Sequence, residues 1–339
     1  MRIAIVGTEL CAVDAQGGGL EQVLRRWASW LTPRHEVVVV SHDRGARRGD
    51  GHKDDYETVW LTQTRDLGTA LAAIDADVVS LHNRPAWVAR VNPGAIAAVT
   101  MHNYPAAWKY AVAELPAGAR YSAVSAALCE TVRERGGRDA VVTPPSIASA
   151  FCELRRWDPD GTVLFPHRLM AKKGVLELLR VAARPEFGGV DFAFADLLSP
   201  WRRPTTEHRR LRDAVRAVPN ARLFAPTSDP VALAELYRRA AVVPCPTTEP
   251  EGLGLVALEA QACGAPIVST DLGGLREATF LPNRCVAPHD DDALAAAIAE
   301  ARARRSGWDG PEGPRVRVVA GHSPEASGRA YERWLTAGV

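Results

Sequence analysis

Short apolar runs alternate with helix-period segments along nearly the whole chain, and this alternation restricts the possible folds. The chain opens with an apolar run over 2–6, a helix whose apolar residues recur at three- and four-residue steps over 20–31, and a second apolar run over 37–41. Further strand-like runs follow at 58–61, 78–81, 96–101, 121–124 and 141–142. Strands that alternate with helices favour a parallel sheet. The sequence therefore predicts an α/β fold.

The alternation is interrupted near 157–161 and then begins again. This stretch, WDPDG, is polar and contains Pro and Gly, and strand-like runs follow it at 163–166, 191–195, 221–224, 241–245, 267–269 and 284–287. A chain of 339 residues with 47% hydrophobic content is long enough to bury two cores. We predict a first domain over 1–157, a second over 158–318, with a Gly/Pro linker at 304–315, and a C-terminal segment over 319–339 that contains a helix.

Composition excludes several classes of partner. The net charge of +1 gives no reason to expect binding to nucleic acid or to an anionic membrane. The six cysteines lack metal-ligand spacing, so we expect no metal site and interpret them as buried free thiols. No run approaches the ~20 apolar residues of a spanning helix, and no signal peptide is recognisable. A cytoplasmic location without an integral membrane segment is expected.

The most informative stretch is PTTEPEGLGLVALEAQACGAPIVST, residues 246–270. Its pattern predicts a loop, a helix that begins near Gly254, and a strand. The first amides of such a helix, at Gly254, Leu255 and Val256, lack intrahelical partners and favour an anion such as a diphosphate. Glu251 precedes the helix and Glu259 lies two turns into it, within about 12 Å. Their carboxylates can accept hydrogen bonds from hydroxyl groups of a sugar and a ribose.

These residues resemble a known family. EGLGLVALEAQACGAPIV is similar to the Glu-x7-Glu signature of retaining GT-B glycosyltransferases of the glycosyltransferase 4 (glycogen-synthase-like) type. The resemblance implies two Rossmann-like domains whose parallel sheets face each other across a cleft, with a C-terminal helix that crosses back to the first domain. It also implies that Glu251 contacts the transferred sugar and that Glu259 holds the ribose.

Two further segments match the family. Half of the lysines lie at 172–173, and Arg168 followed by Lys173 keeps the spacing of the two cations that bind the diphosphate in this family. They would stabilise the charge on the leaving group. The glycines at 17–19 precede the first helix, and by resemblance Gly18 and Gly19 approach the donor phosphate, with Glu21 on the acceptor side.

Polar residues also follow two strands of the first half. His82-Asn83 and His102-Asn103 stand at the carboxyl ends of strand-like runs, where open α/β sheets bind ligands. The resemblance assigns His102 to the transferred sugar, and it places His82, Asn83 and Asn103 on the acceptor side.

The implied activity is transfer of a sugar from a nucleoside-diphosphate sugar, a UDP-sugar, to a small acceptor such as an aminocyclitol or other natural-product intermediate. The donor is a co-substrate, and no cofactor or metal is expected. Two departures from the family, at 144–148 and 251–254, affect the shape of the crevice but remove no catalytic charge. A non-hydrolysing UDP-sugar 2-epimerase, a non-enzymatic sugar-nucleotide sensor, and a glycolipid or lipopolysaccharide-type acceptor remain as alternatives.

Overall fold

The computed structural model describes residues 1–7, 18–42, 55–104, 115–137, 139–197, 204–225, 227–303 and 313–337. The chain forms two compact units. One contains Met1–Ser146 together with Pro324–Val339, and the other contains Ile147–Ser323. Residues 147–157 belong to the second unit because Phe151 packs edge-on against Tyr237, with ring centroids 5.8 Å apart. Arg238 also donates a hydrogen bond to the carbonyl oxygen of Ala150 at 3.0 Å.

The first unit contains a parallel seven-stranded sheet. Its strands are β1 (Arg2–Val6), β2 (Glu36–His42), β3 (Glu57–Leu61), β4 (Val78–His82), β5 (Ile96–Met101), β6 (Ala119–Ala123) and β7 (Val141–Val142). Its helices are α1 (Gly19–Leu31), α2 (Leu67–Ile74) and α3 (Ala126–Glu134). The spatial order β3-β2-β1-β4-β5-β6-β7 reverses direction between β1 and β4. This reversal is the topological switch point of a doubly wound sheet.

The second unit repeats this arrangement. Its strands are β8 (Val163–Phe165), β9 (Phe192–Ala195), β10 (Ala221–Phe224), β11 (Val243–Cys245), β12 (Ile267–Thr270) and β13 (Arg284–Val286). Its helices are α4 (Ser149–Cys152), α5 (Val175–Ala182), α6 (Thr206–Arg216), α7 (Pro230–Arg239), α8 (Leu255–Ala262), α9 (Leu275–Ala278), α10 (Asp291–Ala303) and α11 (Pro314–His322). Two parallel sheets, β10-β9-β8 and β11-β12-β13, meet through a parallel bridge between Val163 and Val242.

Burial on both faces explains why the strands are continuous apolar runs. Every residue of β8, β9 and β11 is buried, as is typical of parallel strands covered by helices on both sides. The core of the second unit is rich in phenylalanine, including Phe165, Phe187, Phe192 and Phe194. The predicted runs and the observed strands therefore coincide within a few residues, because the apolar pattern and the burial have the same cause.

A final helix, α12 (Pro324–Thr336), belongs to the first unit. It packs against α1, where the rings of Trp27 and Tyr331 stack with centroids 4.0 Å apart. Trp27 donates its indole hydrogen to Ser327 Oγ at 2.8 Å, and Trp30 donates to Glu332 at 2.9 Å. The C-terminal helix predicted from the sequence thus packs on α1, in the first unit.

The segment before α12 differs from the sequence prediction. The sequence predicts a linker through residue 315 and the end of the second domain at 318, whereas Pro314–His322 forms α11 within the second unit. The helix is hard to recognise in the sequence because few of its side chains are deeply buried, Val318 among them. Arg315 instead anchors it by donating hydrogen bonds to the carbonyl oxygens of Arg155 and Glu153. The rest of the predicted linker, 304–312, lies outside the described residues.

The cysteines that the structure describes, Cys129, Cys152, Cys245, Cys263 and Cys285, are free thiols. Cys285 is exposed and Cys152 is half-buried, so the expectation of buried thiols is wrong for these two. In the described parts of the chain, no helix has both the length and the apolar character needed to span a bilayer.

The packing of α12 on α1 provides a test. Gly328 faces Trp30 so closely that a Cβ atom added to it would lie 2.3 Å from the indole Cγ. Although alanine favours a helix, Gly328→Ala is expected to lower the free energy of unfolding by about 1–3 kcal/mol, because the packed ring must shift. Chemical denaturation measures this loss.

Gly321→Ala in α11 is the matched control, since a Cβ atom there meets nothing within 4 Å. It should leave the free energy of unfolding unchanged or raise it by up to about 1 kcal/mol. Equal effects of the two substitutions would contradict the close contact between α12 and Trp30.

Candidate functional site

The second unit has its switch point between β8 and β11, whose carboxyl ends lie side by side. Leu164 donates its amide hydrogen to Val242 at 3.0 Å, and His167 Nε2 lies 3.2 Å from the carbonyl oxygen of Pro244. The loop after β8 and the loop after β11 therefore leave the sheet at the same edge. Ligands of doubly wound sheets bind in the crevice at this position.

Close backbone contacts join these two loops. The carbonyl oxygen of Lys172 accepts hydrogen bonds from the Thr247 hydroxyl at 2.7 Å and from the Thr248 amide at 2.9 Å. Gly174 has φ +80°, and a Cβ atom on it would lie 1.9 Å from the carbonyl oxygen of Pro246. Only glycine fits both the backbone conformation and this approach. The backbone therefore requires a glycine directly after Lys173.

Lys173 and Glu251 form an ion pair across the joined loops. Lys173 Nζ lies 2.5 Å from Glu251 Oε1, and the two side chains are only 24% and 20% exposed. Burial raises the pKa of Glu251, but the charge of Lys173, the neighbouring His167 and hydrogen bonds from Lys173 and Thr247 together outweigh this effect and hold that pKa below its ordinary value. Burial and the charge of Lys173 also lower the pKa of His167 to about 4. The carboxylate is therefore ionised and the imidazole neutral near pH 7.

Helix α8 begins with open amides, as the sequence predicted. Its N-cap is Gly254, with φ +96° and no side-chain cap. Within the described residues, the amides of Gly254, Leu255 and Val256 have no hydrogen-bond acceptor. Together with the helix dipole, such amides attract an anion.

The other two charged residues predicted for this site, Arg168 and Glu259, differ in whether their side chains are bound within the protein. The Arg168 guanidinium is half-buried and has no ion-pair or hydrogen-bond partner among the residues that the structure describes. Glu259 accepts a hydrogen bond from the Tyr237 hydroxyl at 3.0 Å. Burial, followed by the charge of Glu259, raises the pKa of Tyr237, which keeps this phenol a hydrogen-bond donor.

In the first unit, the ends of β4 and β5 are bound to each other. Asn83 adopts a left-handed backbone conformation, with φ +56°. Its side-chain oxygen accepts the His102 amide hydrogen at 2.7 Å, and its amide group donates to Asn103 at 2.8 Å. His102 is 9% exposed and Asn103 is exposed. Asn83 thus holds the end of β5 in place.

The remaining predicted residues of this unit lie at different depths. The sequence predicts His82 on the acceptor side, but this residue has no exposed surface. Its Nδ1 atom lies 3.0 Å from His102 Nε2, so it is buried behind His102. Glu21 is 4% exposed, near the start of α1. Gly18 is the N-cap of α1 and Gly19 is exposed, whereas residues 8–17, which include Gly17, lie outside the described residues. Contact of any of these residues with a ligand stays a prediction.

Sequence reasoning missed several residues that complete these clusters. His167 was visible as the residue before Arg168, but nothing in the sequence indicated that it contacts Pro244. Tyr237 and Tyr331 lie on helices whose patterns indicate only packing. In the described chain, no group of three or more His, Cys, Asp or Glu residues has the arrangement of a metal site.

Comparison with known proteins defines first the class of fold. Sucrose-phosphate synthase from Thermosynechococcus elongatus is similar to this chain with a TM-score of 0.75 and 19% sequence identity over 98% of this chain and 97% of that one. The Anabaena protein HepE, in complex with UDP and glucose, has a TM-score of 0.69 and 16% identity over 99% and 100% of the two chains. Identities this low show the fold alone. The predicted GT-B fold class is confirmed.

A family model matches most of the second unit. Residues 153–305 match the family model described as glycosyl transferases group 1. A D-inositol 3-phosphate glycosyltransferase of Acidothermus cellulolyticus is 40% identical over 149 residues, which are 42% of this chain and 33% of the relative. This match thus spans about a third of the length of that curated relative.

The ion pair provides a test of the site. In Lys173→Met, burial of Glu251 persists without its counter-charge, so we expect the pKa of Glu251 to rise above its ordinary value. The free energy of unfolding should fall by about 1.5–3 kcal/mol at pH 7. In the wild type, the contribution of Glu251 is present above its unfolded pKa and is lost as pH falls, whereas in the variant stability declines as pH rises.

Lys172→Met is the control, because Lys172 pairs with Glu249 at an exposed position. Such a pair contributes about 0–1 kcal/mol, so chemical denaturation at pH 7 and near pH 4 should show little change. If both lysine variants showed the same pH dependence of stability, the buried pair would be refuted.

Proposed function

We propose that this chain is a retaining glycosyltransferase that moves a sugar from a nucleoside-diphosphate sugar, a UDP-sugar, to a hydroxyl group of a small acceptor. The observation that carries the proposal is the assembly, at the switch point of the second unit, of Lys173, Glu251 and the open N-terminus of α8. The match to the group 1 family model spans these same residues and favours a transferase over the 2-epimerase.

The open amides of α8 and the cations account for departure of the nucleoside diphosphate. A sugar leaves readily only if the negative charge that grows on the diphosphate is stabilised. Arg168 has no protein partner among the described residues and can bind phosphate in bidentate fashion. The ammonium of Lys173 has three N–H donors, so it can keep its bond to Glu251 and donate to a phosphate oxygen at the same time. These groups supply positive charge without a metal ion.

The two glutamates have different tasks in this proposal. Glu259, oriented by Tyr237, accepts hydrogen bonds from the ribose hydroxyls. Glu251, ionised and held by Lys173, lies where the sugar ring acquires positive charge as its bond to the diphosphate breaks. The ring can then be stabilised by the carboxylate without a covalent bond to it.

Retention follows from attack on the face that the diphosphate leaves. The bond between the anomeric carbon and the phosphate oxygen breaks with its electron pair on the phosphate. The acceptor oxygen then bonds to the anomeric carbon on the same face and gives its proton to that phosphate oxygen. This route differs from the double displacement of retaining glycosidases, in which a carboxylate forms a covalent intermediate.

The substrates are proposed from the chemistry of similar proteins. The UDP and glucose bound to the Anabaena protein support a UDP-hexose donor. The inositol phosphate in the name of the Acidothermus relative supports a small cyclitol acceptor, in agreement with the aminocyclitol predicted from the sequence.

Product stereochemistry tests the activity directly. Incubation with α-configured UDP-hexoses and a panel of cyclitols in EDTA is expected to give an α-glycoside, identified by the coupling constant of its anomeric proton in the NMR spectrum. A β-glycoside would exclude the retaining mechanism, and loss of activity in EDTA would exclude metal independence. Formation of an epimer without any acceptor would favour the 2-epimerase.

The separate tasks of the glutamates give a second test. Glu251→Gln removes a charge that acts mainly in the transition state, so turnover should fall by about 100- to 1,000-fold with little change in the affinity for UDP. Glu259→Gln should instead weaken the affinity for UDP, because the ribose is bound in substrate and transition state alike. Calorimetry with UDP and single-turnover rates distinguish the two outcomes.

Exposed Glu249, which pairs with Lys172 in the same loop, provides the matched control, and Glu249→Gln should leave both quantities unchanged. Equal loss of UDP affinity in Glu251→Gln and Glu259→Gln would show that the two carboxylates do not have the separate tasks proposed.

A further inference from the structure

A buried chain of polar groups connects α12 to His102 in the first unit. The Tyr331 hydroxyl lies 2.7 Å from Ser80 Oγ, and Ser80 Oγ lies 3.2 Å from His82 Nε2. His82 Nδ1 in turn lies 3.0 Å from His102 Nε2. Tyr331, Ser80 and His82 have no exposed surface, and His102 is 9% exposed. This series of polar groups therefore ends at His102, the one of these four residues that has exposed surface.

Both imidazoles of this chain are neutral. Burial lowers the pKa of His102 to about 3, and burial together with the neighbouring histidine lowers that of His82 well below its ordinary value. A neutral imidazole has one N–H donor and one acceptor nitrogen. Only one of the two rings can therefore donate in the contact between them, and the direction of that bond fixes the tautomer of each ring.

The two possible directions differ in the bonds that the hydroxyl groups of Ser80 and Tyr331 can make. In one direction the Tyr331 hydroxyl donates to Ser80, Ser80 donates to His82 Nε2, and His82 Nδ1–H donates to His102 Nε2. Every hydrogen of the buried groups then has an acceptor. The same tautomers result if Tyr331 donates directly to His82 Nε2, which lies 3.4 Å away.

In the opposite direction one hydroxyl hydrogen, that of Tyr331 or that of Ser80, has no acceptor among the described residues. His82 Nε2 then carries a hydrogen of its own and accepts none, and the two hydroxyl groups can donate to each other in only one direction at a time. Among the described residues, Ser80 and His82 are the hydrogen-bond partners of Tyr331, whose ring is stacked on Trp27. A buried donor without an acceptor is costly. The first direction is therefore favoured.

We propose that Tyr331, Ser80 and His82 are positioning residues that hold His102 in the Nδ1–H tautomer, so that His102 donates a hydrogen bond to a hydroxyl oxygen of a bound sugar. The role of His102 toward a sugar rests on the proposed function. The tautomer itself depends only on the first unit.

The geometry around His102 suits such a role. Its Nε2 atom is occupied by His82, and within the described residues its Nδ1 atom has no protein partner. Trp27 packs beside the ring, with centroids 5.7 Å apart, and Asn83 holds its backbone amide. The Trp27 ring thus packs beside the His102 ring, and the Nδ1–H group of His82 occupies His102 Nε2. The Nδ1–H group of His102 remains as a donor for a ligand.

The experiment measures the tautomer by long-range ¹H–¹⁵N NMR on protein with ¹⁵N-labelled histidine, without substrate. The His102 signals are assigned by their loss in His102→Gln. The expected result for the wild type is a protonated, pyrrole-like Nδ1 and a pyridine-like Nε2. A protonated Nε2 would overturn the proposal, and this measurement does not depend on whether any positioning variant folds.

The double variant Ser80→Ala, Tyr331→Phe removes both hydroxyl donors to His82 Nε2 and keeps both imidazoles. We expect a mixture of His102 tautomers, with turnover reduced in proportion to the Nε2–H fraction and KM for the acceptor unchanged. Tyr121→Phe, which removes a phenol elsewhere in the same unit, should leave the tautomer and the turnover unchanged.

A double variant that mixes the tautomers yet retains full turnover would overturn the role of His102 toward the sugar while leaving the hydrogen-bond chain in place. If the wild type transferred no sugar from any UDP-sugar, the proposed function would fail. The NMR measurement would still test whether Tyr331, Ser80 and His82 set the tautomer of His102.

Discussion

The parallel contact between β8 and β11 is the constraint on which the site of the second unit depends. The bond from Leu164 to Val242 sets these strands side by side, although their loops come from distant parts of the sequence. A crevice is expected at this point, because successive connections leave a doubly wound sheet on opposite faces there. The crevice is thus a consequence of strand order, and the loop glycines allow the two backbones to approach each other there.

At this edge of the sheet the half-buried carboxylate is compensated, whereas other donors are left open. Lys173 offsets the cost of keeping the Glu251 carboxylate ionised in a half-buried position, and the low pKa of His167 avoids adding a second positive charge beside them. Arg168 and the amides of α8 remain available. A diphosphate entering this crevice would therefore meet donors that are already oriented, with little reorganisation required at the moment of reaction.

Apart from β7, the sheet of the first unit has the same strand order as the strands of the second unit. Its switch point lies between β1 and β4, and β5 pairs with β4 on the other side, where Asn83 binds the ends of β4 and β5 together. Helix α12 packs on this unit through the ring of Tyr331, which stacks on that of Trp27. A segment that the sequence suggests is only a packing helix thereby contributes a hydroxyl group to the hydrogen bonds that reach His102.

The sequence by itself predicted the strands, the helices α1, α8 and α12 and a division into two units, whereas the roles of Arg168, Lys173, Glu251 and Glu259 toward a ligand stay predictions. Apolar runs, glycine positions and the spacing from Glu251 to Glu259 are local, and local patterns are governed by burial and backbone geometry that a short stretch already specifies. The tertiary structure alone decided which of these residues meet. Lys173 pairs with Glu251 across 78 positions and Tyr331 reaches His82 across 249, because strand order brings them together. Long-range contacts also bury His82 and anchor the helix at 314–322. No local sequence pattern specifies these contacts.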